Sequence, residues 1–457
     1  MAYVAKLPDD AQFPQLRIIT DTNAVKEVFQ HQLPGFVEGR FRIDDLVLND
    51  FRYAPGEKCR VSYKLQVKDT VTGEEGHQDL FGVIEPNSDI EAKYIKARRE
   101  THAQPRFGPA VFWLPDLKMI LWGFPNDPKL KQLPQLLNEG ALTELLRQHW
   151  PAFGFPAAVQ LANVATDVVK HVPQDRCTLR HTLHCTGAED LVIYSKTFAP
   201  KVNGALIYNV IRTLWEAPVC RSGEIVIPAP LFFEAGMNTM FLRGLHGSNA
   251  DDNPAALDLD RLAAESGVAL AGIHHCPIAG LASRSDQFAL SQVAESEEVL
   301  VNFDVAYKPR LQALINIMQE KYPGLTPIPP APMHGAFRLS QMLLVGDKLA
   351  LIDFDDFWLG NPISDVASFV AHLLYLPLKD KLTPERSRSA IRHFCRAYAG
   401  RASWGLPTDV LAWQTAAQLV GKQAKKCIKL AKKNYRNTVD HLLSLAADIL
   451  AGKVELM

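Results

Sequence analysis

Residues 334–356 of the chain, "HGAFRLSQMLLVGDKLALIDFDD", decide how the rest of the sequence is interpreted. The run "KLALID" predicts a buried strand, and together with "MLLV" it forms a predicted strand pair. Three carboxylates, Asp353, Asp355 and Asp356, follow the second strand directly. The loop "HGAFRLSQ" precedes the pair, and a Pro-rich stretch, "PGLTPIPPAPMHG" (323–335), leads into that loop.

The bulk properties predict an ordinary globular protein with more than one domain. The 457 residues are too many for a single common core, so two or three domains are expected. Hydrophobic residues make up 47% of the chain and charged residues 22%, and 49 basic against 50 acidic residues give a net charge of −1. This balance predicts neither a nucleic-acid partner nor a membrane partner.

The N-terminus and the cysteines favour a cytoplasmic location. The first fifteen residues lack the basic and apolar regions of a signal peptide, and the longest apolar runs are too short to span a membrane. Seven cysteines are present without a close Cys-x-x-Cys pair, which is typical of reduced thiols and argues against a zinc site.

Two segments of the first half resemble each other at an offset of 118 residues. "YAPGEKCRVSYKL" (53–65) and "HVPQDRCTLRHTL" (171–183) each consist of a turn and an alternating strand. A second strand follows each of them, "DLFGVIE" (79–85) and "DLVIYSKTF" (190–198), and then a helical stretch and a Pro-marked apolar stretch. We therefore predict two tandem βββα-like modules, a front module near 40–130 and a second module near 163–245. Chance similarity is the alternative.

From about residue 258 onward, apolar residues recur at helical spacing. A smaller β-rich part followed by a larger helical part predicts an α+β fold with two lobes. The predicted divisions are 1–150 for the front module with its flanks, 151–245 for a β-rich N-lobe and 246–457 for a helical C-lobe.

The segment "MHGAFRLSQMLLVGDKLALIDFDDFWLGNPISDVASF" (333–369) resembles the aminoglycoside phosphotransferase and choline-kinase-like superfamily. In that superfamily a His-Gly-Asp loop with a later Asn or Gln precedes a strand that ends in Ile-Asp, and an Asp-x-Ala follows. The resemblance covers about 163–445, with Lys196 in support. It implies a bilobal protein-kinase-like fold with an extra N-lobe-like module in front, and it implies ATP and Mg²⁺ as cofactors.

The resemblance also implies roles for individual residues. Lys196 would contact phosphate oxygens, and Asp353 and Gln341 would offer oxygen ligands to Mg²⁺. The resemblance also places His334 among the catalytic-loop residues, where it would hold the loop backbone. Asp365 would either cap the following helix or brace the loop.

The sequence departs from the superfamily where the catalytic Asp is expected, because Ala336 occupies that position. General-base assistance contributes roughly 10²–10⁴ in rate, so we expect impaired transfer and not necessarily its loss. Asp355 is the first candidate for a substitute base, since strand alternation would place it on the same side as Asp353.

A second departure concerns the nucleotide loop. The turn "HVPQDR" before the second module's strand contains no glycine, so Arg176 and Arg180 become candidate phosphate contacts, the alternative being that both are surface residues. Glu216 is a weak candidate for a partner of Lys196, and Lys196 itself could simply extend to solvent.

The basic segment 421–436 predicts either a solvated helix face, which we favour, or a surface for an acidic ligand or a partner. The sequence thus leaves three functions open. One is ATP-dependent transfer of phosphate to a small hydroxylated metabolite. Another is a pseudokinase that binds nucleotide and regulates a protein partner. The third is nucleotidyl transfer at the same metal site.

Overall fold

The computed structural model describes residues 10–54, 56–86, 88–100, 102–429 and 435–457. The described residues form two compact units. The first contains 10–204 and 231–241, and the second contains 205–230, 242–428 and 435–457. The front module lies in the first unit. The second module lies there too, except for residues 205–230 and 242–245, which belong to the second unit. The predicted boundaries 1–150, 151–245 and 246–457 stay a prediction.

The first unit is built around two five-stranded sheets with the same strand order. Their orders are β1-β2-β3-β5-β4 and β6-β7-β8-β10-β9. The elements of this half are α1 (Leu16–Thr20), α2 (Thr22–Gln32), β1 (Phe41–Ala54), β2 (Lys58–Asp69), β3 (Glu75–Ile84), α3 (Ile90–Arg98), β4 (Val111–Leu114), β5 (Met119–Gly123), α4 (Leu133–Leu136), α5 (Glu139–Gln148), β6 (Gln160–Val172), β7 (Arg176–Thr186), β8 (Leu191–Phe198), α6 (Gly204–Glu216), α7 (Pro218–Arg221), β9 (Pro230–Glu234) and β10 (Thr239–Arg243).

The strand register identifies equivalent positions in the two sheets. Arg60 pairs with Val83 between β2 and β3, and Thr178 pairs with Lys196 between β7 and β8. Residues 60 and 178 are separated by the 118-residue offset of the repeat. The structure therefore places Val83 at the position that Lys196 occupies in the second module, as predicted.

The front module fills that position with an apolar cluster. Val83 is buried together with Phe81, Ile120 and Trp122, and Ile90 of α3 belongs to the same cluster. A charged or phosphate-binding side chain at residue 83 would have to be desolvated among these groups at high cost. The front module therefore has an apolar side chain where the second module has Lys196.

The second unit is mainly helical and encloses two small sheets. Its strands have the orders β11-β13-β14 and β12-β15. Its elements are β11 (Ser248–Asn249), α8 (Leu259–His274), α9 (Gln287–Phe303), α10 (Lys308–Lys321), β12 (Ala331–Met333), β13 (Met342–Val345), β14 (Lys348–Leu351), β15 (Trp358–Gly360), α11 (Ile363–Tyr375), α12 (Pro384–Arg401), α13 (Thr408–Gln418), α14 (Lys425–Lys429) and α15 (Tyr435–Leu450).

Helix α11 lies in the interior of the second unit, because nearly every one of its residues is buried. Helices α8 and α12 approach each other closely at Gly267, where an added Cβ would lie 2.5 Å from the carbonyl oxygen of Phe394. A six-residue π-helical segment, Leu419–Ala424, joins α13 to α14. The predicted α+β class, with β-rich modules before a helical region, is confirmed.

Within the described residues, none of the helices combines the length and the hydropathy needed to cross a membrane.

Candidate active site

The HGA loop, residues 334–341, is held at both ends by the small sheets of the second unit. Strand β12 pairs with β15, with Met333 opposite Trp358, and the loop leaves this pair at His334. The loop ends in a 3₁₀ turn, Leu339–Gln341, from which β13 starts. The backbone N–H of Ile352 donates to the carbonyl of Gln341 at 3.0 Å. The end of the loop and the start of the Asp353 segment are therefore adjacent.

Asp365 braces the loop. Its Oδ2 accepts a hydrogen bond from the backbone N–H of His334 at 2.6 Å, and its Oδ1 accepts one from Gly335 at 2.9 Å. The N-cap of α11 is Pro362, so Asp365 lies inside the first turn and does not cap the helix. Of the two predicted roles of Asp365, the brace is the one that the structure supports.

Asp365 belongs to a chain of buried hydrogen bonds. The Nε2 of His274 lies 3.3 Å from its Oδ2, and the Nδ1 of His274 lies 2.9 Å from the hydroxyl of Tyr398. Burial alone would raise the pKa of Asp365, but the contact with His274 holds it below its ordinary value. Burial lowers the pKa of His274. A carboxylate that stays ionised thus anchors the loop, and sequence reasoning had not linked His274 to this role.

Gly335 is required by the path of the loop. Its φ is +79°, a region that L-residues rarely adopt, and an added Cβ would lie 2.2 Å from the carbonyl oxygen of Asp356. The glycine allows the loop to pass directly against the turn that follows Asp353.

His334 has a supporting position. Its ring is fully buried among Phe337, Phe354 and Phe357, with ring centroids 5.4–5.8 Å apart. Burial lowers its pKa, which favours a neutral imidazole. This placement agrees with the loop-holding role that the resemblance implies.

The two predicted metal ligands lie side by side. The Nε2 of Gln341 donates to Oδ2 of Asp353 at 3.2 Å. Asp353 has φ +69°, an unusual conformation for a residue other than glycine and one that is frequent at functional sites. A carboxylate and an amide are oxygen donors of the kind that Mg²⁺ prefers, and Mg²⁺ completes its octahedron with water and phosphate. The pair therefore fits Mg²⁺. Within the described residues, three or more His, Cys, Asp or Glu side chains nowhere gather as a metal cluster.

The argument that placed Asp355 beside Asp353 by strand alternation is wrong. Strand β14 ends at Leu351, and Asp353, at the start of the Asp353 to Asp356 segment, is itself left-handed. Both carboxylate oxygens of Asp355 are buried. Its assignment as a substitute base for Ala336 stays a prediction, without support from alternation.

Lys422 corrects the expectation that the basic segment 421–436 is a solvated face. Lys422 lies in the π-helical segment, is partly buried, and donates from Nζ to the carbonyl oxygen of Gly335 at 3.1 Å. Lys425 pairs instead with Glu295 at 2.7 Å. The side chains of residues 429–434 lie outside the described part. The sequence signal for Lys422 was absent, because helical periodicity cannot reveal a π-helical segment.

The phosphate-contact candidates belong to the first unit. Lys196 lies on β8, 5.9 Å from the ring centroid of Phe198. Arg176 pairs with its neighbour Asp175 at 3.1 Å, and Arg180 pairs across the strands with Asp167 at 3.2 Å. All three are partly exposed, and their assignment to phosphate binding stays a prediction. Glu216 is exposed at the end of α6.

The glycine-free turn between β6 and β7 is fixed by the front module. Asp127 accepts a hydrogen bond from the backbone N–H of Gln174 at 2.8 Å, and Lys58 donates to the Gln174 side chain at 3.0 Å. Arg60 donates to the carbonyl of Pro173 at 3.0 Å. The turn is therefore held by side chains of another module, and Gln174 adopts φ +61° without the help of a glycine.

Residues 208–406 match the model of the phosphotransferase enzyme family, APH. This range includes the HGA loop, Asp353 and Asp365, and it excludes Lys196 and Lys422. Among proteins of curated function, a search found no match to the chain.

Solved structures with a similar chain trace include three kinases. A choline/ethanolamine kinase family protein from Mesorhizobium loti is 12% identical, with 66% of this chain and 94% of that chain covered and a TM-score of 0.43. Choline kinase from Cryptosporidium parvum Iowa II is 10% identical, with 69% and 98% covered and a TM-score of 0.47. A glucosamine kinase in complex with glucosamine, ADP and inorganic phosphate is 15% identical, with 94% and 99% covered and a TM-score of 0.44.

At these identities and TM-scores, the solved structures carry no conclusion about the substrate of this chain. The family match is the stronger finding. Through residues 208–406 the chain is similar to the phosphotransferase enzyme family, and the predicted resemblance to the aminoglycoside phosphotransferase and choline-kinase-like superfamily is confirmed.

Proposed function

We propose that this protein binds ATP with Mg²⁺ and transfers phosphate to a small hydroxylated metabolite, with base assistance impaired by Ala336. We also propose a cytoplasmic location and neither a nucleic-acid nor a membrane partner. The observation that carries the proposal is the preserved loop architecture. Asp365 holds both amides at the start of the loop, and Gln341 contacts Asp353 at its end.

The residues would divide the work as follows. Asp353 and Gln341 would hold Mg²⁺, which neutralises phosphate charge when it is bound. Lys196 would contact phosphate oxygens, with Arg176 and Arg180 as further candidates. In the transfer, the acceptor oxygen forms a bond to the γ-phosphorus, the bond from that phosphorus to the β,γ-bridging oxygen breaks, ADP leaves, and the hydroxyl proton goes to a base or to water.

Ala336 removes the carboxylate that would accept or orient that proton. Because positioning and electrostatics supply much of the catalysis of phosphoryl transfer, a reduced activity is expected and not a complete loss. The rate deficit is roughly 10²–10⁴.

The same residue favours a second candidate function. A pseudokinase would keep nucleotide binding and lose transfer, and Ala336 is the specific observation in favour of it. Both candidates use Asp353 as a ligand of Mg²⁺. They differ in whether phosphate is transferred.

An ADP-release assay with a panel of sugars, aminoglycosides, choline-like alcohols, sugar phosphates and hydroxy acids separates the candidates. Under the transferase proposal the natural protein turns over slowly, Asp353→Asn stops it, and Ala336→Asp raises turnover of neutral acceptors by roughly 10²–10⁴. Turnover that is absent both from the natural protein and from Ala336→Asp, with nucleotide binding intact, would establish the pseudokinase instead.

A further inference from the structure

Positive charge gathers around the HGA loop at the place where the superfamily has a carboxylate. Lys422 contacts the oxygen of the peptide bond that joins Gly335 to Ala336. Arg338 lies two residues farther along the loop, and its Nε is buried without a hydrogen-bond partner among the described residues. These two residues and Arg284 are named here the loop cation cluster.

Arg284 is held against the strand pair that leads into the loop. Its guanidinium stacks over the ring of Trp358 with its central carbon 3.7 Å from the centroid, and it lies 4.5 Å from the centroid of Phe288. Trp358 is the strand partner of Met333, the residue before His334. The cluster thus draws one cation from the loop, one from the segment before α9 and one from the π-helical segment.

Lys422 lies among charges of both signs. Burial lowers its pKa, and the charges that act most strongly on it are those of Asp365 and Asp356, which are attractive, and those of Arg338 and Arg284, which are repulsive. Asp365 is already occupied by two backbone amides and His274. A carboxylate at residue 336 would add a further anion beside these cations, and Ala336 leaves it out.

We propose that the loop cation cluster binds an anionic oxygen group of the acceptor, a carboxylate or a phosphate, beside the position where Ala336 replaces the expected Asp. This inference rests on the proposed function and specifies its substrate class. An anion would strongly stabilise a partly buried ammonium that donates to a carbonyl and an arginine Nε that has no hydrogen-bond partner among the described residues. The π-helical segment is of the type that is frequent at functional sites.

A binding experiment without turnover tests the site. Inorganic phosphate, and separately glycolate as a simple hydroxy acid, are titrated against the full chain by thermal shift, with sodium chloride at matched ionic strength as the reference. We expect a saturable stabilisation whose Kd weakens at least about tenfold in Lys422→Met. Lys425→Met is the matched control, since Lys425 lies one turn away and pairs with Glu295. Lys196→Met should retain the shift, which separates this site from a nucleotide phosphate site.

The two probes distinguish carboxylate from phosphate as the preferred group. If Lys422→Met does not fold, Arg338→Gln is the second variant, and it should weaken the same probe. An unchanged Kd in both variants, or an equal weakening in Lys425→Met, would overturn the proposal.

Acceptor pairs that differ only in charge then test the substrate class. A sugar is compared with its phosphate ester, and an alcohol with the corresponding hydroxy acid, by ADP release. The natural protein should prefer the anionic member, and Ala336→Asp should shift the preference to the neutral member because its carboxylate occupies the cluster. Turnover with equal preference would contradict the inference and leave the proposed function standing. Lys422-dependent anion binding without any binding of ATP and Mg²⁺ would contradict the proposed function and leave the anion site standing.

Discussion

Replacing Asp365 by alanine tests how the HGA loop is held. The carboxylate of Asp365 is buried and accepts hydrogen bonds from the amides of His334 and Gly335. Alanine would leave two backbone N–H groups buried without an acceptor, and each such group costs about 1–3 kcal/mol. We therefore expect Asp365→Ala to lower the free energy of unfolding of the second unit by about 2–6 kcal/mol.

The loss of unfolding free energy in Asp365→Asn should lie at the lower end of that range. The amide keeps one acceptor oxygen but presents N–H donors to the second backbone N–H. The matched control is Asp409→Ala. Asp409 accepts from the backbone N–H of Thr326 at 2.8 Å on an exposed surface, where water replaces it, so a change of less than about 1 kcal/mol is expected.

Denaturant unfolding followed by tryptophan fluorescence gives the stability, and hydrogen exchange of the amides of residues 334 and 335 gives the local effect. Both amides should exchange faster in Asp365→Ala while those of the first unit are unchanged. Unchanged protection of these two amides, or a stability loss no greater than in Asp409→Ala, would refute the assignment of Asp365 as the brace.

Three further perturbations follow from the geometry. Gly335→Ala should destabilise the second unit by at least about 2 kcal/mol and weaken Mg²⁺-dependent nucleotide binding, since its Cβ would meet the Asp356 carbonyl; wild-type affinity would contradict this. Val83→Asp should cost about 3 kcal/mol or more of stability without changing nucleotide affinity, and calorimetry with a nucleotide titration measures both. Burial lowers the pKa of His181 to about 3 in the folded protein. In the unfolded chain this histidine has its ordinary pKa of 6.5, so below pH 6.5 the unfolded chain binds a proton that the folded protein does not. Stability should therefore fall as the pH drops below 6.5, by about 2 kcal/mol at pH 5, and His181→Gln should reduce this loss in unfolding curves at pH 7 and pH 5.

Sequence reasoning succeeded where a short segment determines its own local structure. The repeat was visible because the turn, the buried cysteine and the alternating strand recur together. The strand register then placed Val83 and Lys196 at equivalent positions of the two sheets. The family resemblance implied that Gln341 and Asp353 would act together, and the hairpin of β13 and β14 brings them into contact.

The remaining features depend on contacts between distant segments, which a single sequence does not encode locally. The contact of Lys422 with Gly335 joins residues 87 positions apart, and the contact of Asp127 with Gln174 joins residues 47 positions apart. The alternation argument for Asp355 was wrong because β14 ends two residues before Asp353, where the backbone turns left-handed.

The most direct test of the account is a thermal-shift titration of the full chain with ATP, with and without Mg²⁺. Asp353 and Gln341 are proposed to hold the metal, so stabilisation by ATP should require Mg²⁺ and should disappear in Asp353→Asn. At 100 times its dissociation constant, the nucleotide should add about 2.7 kcal/mol to the free energy of unfolding. The account predicts this Mg²⁺-dependent shift, and the absence of any shift at millimolar ATP with Mg²⁺ would contradict it.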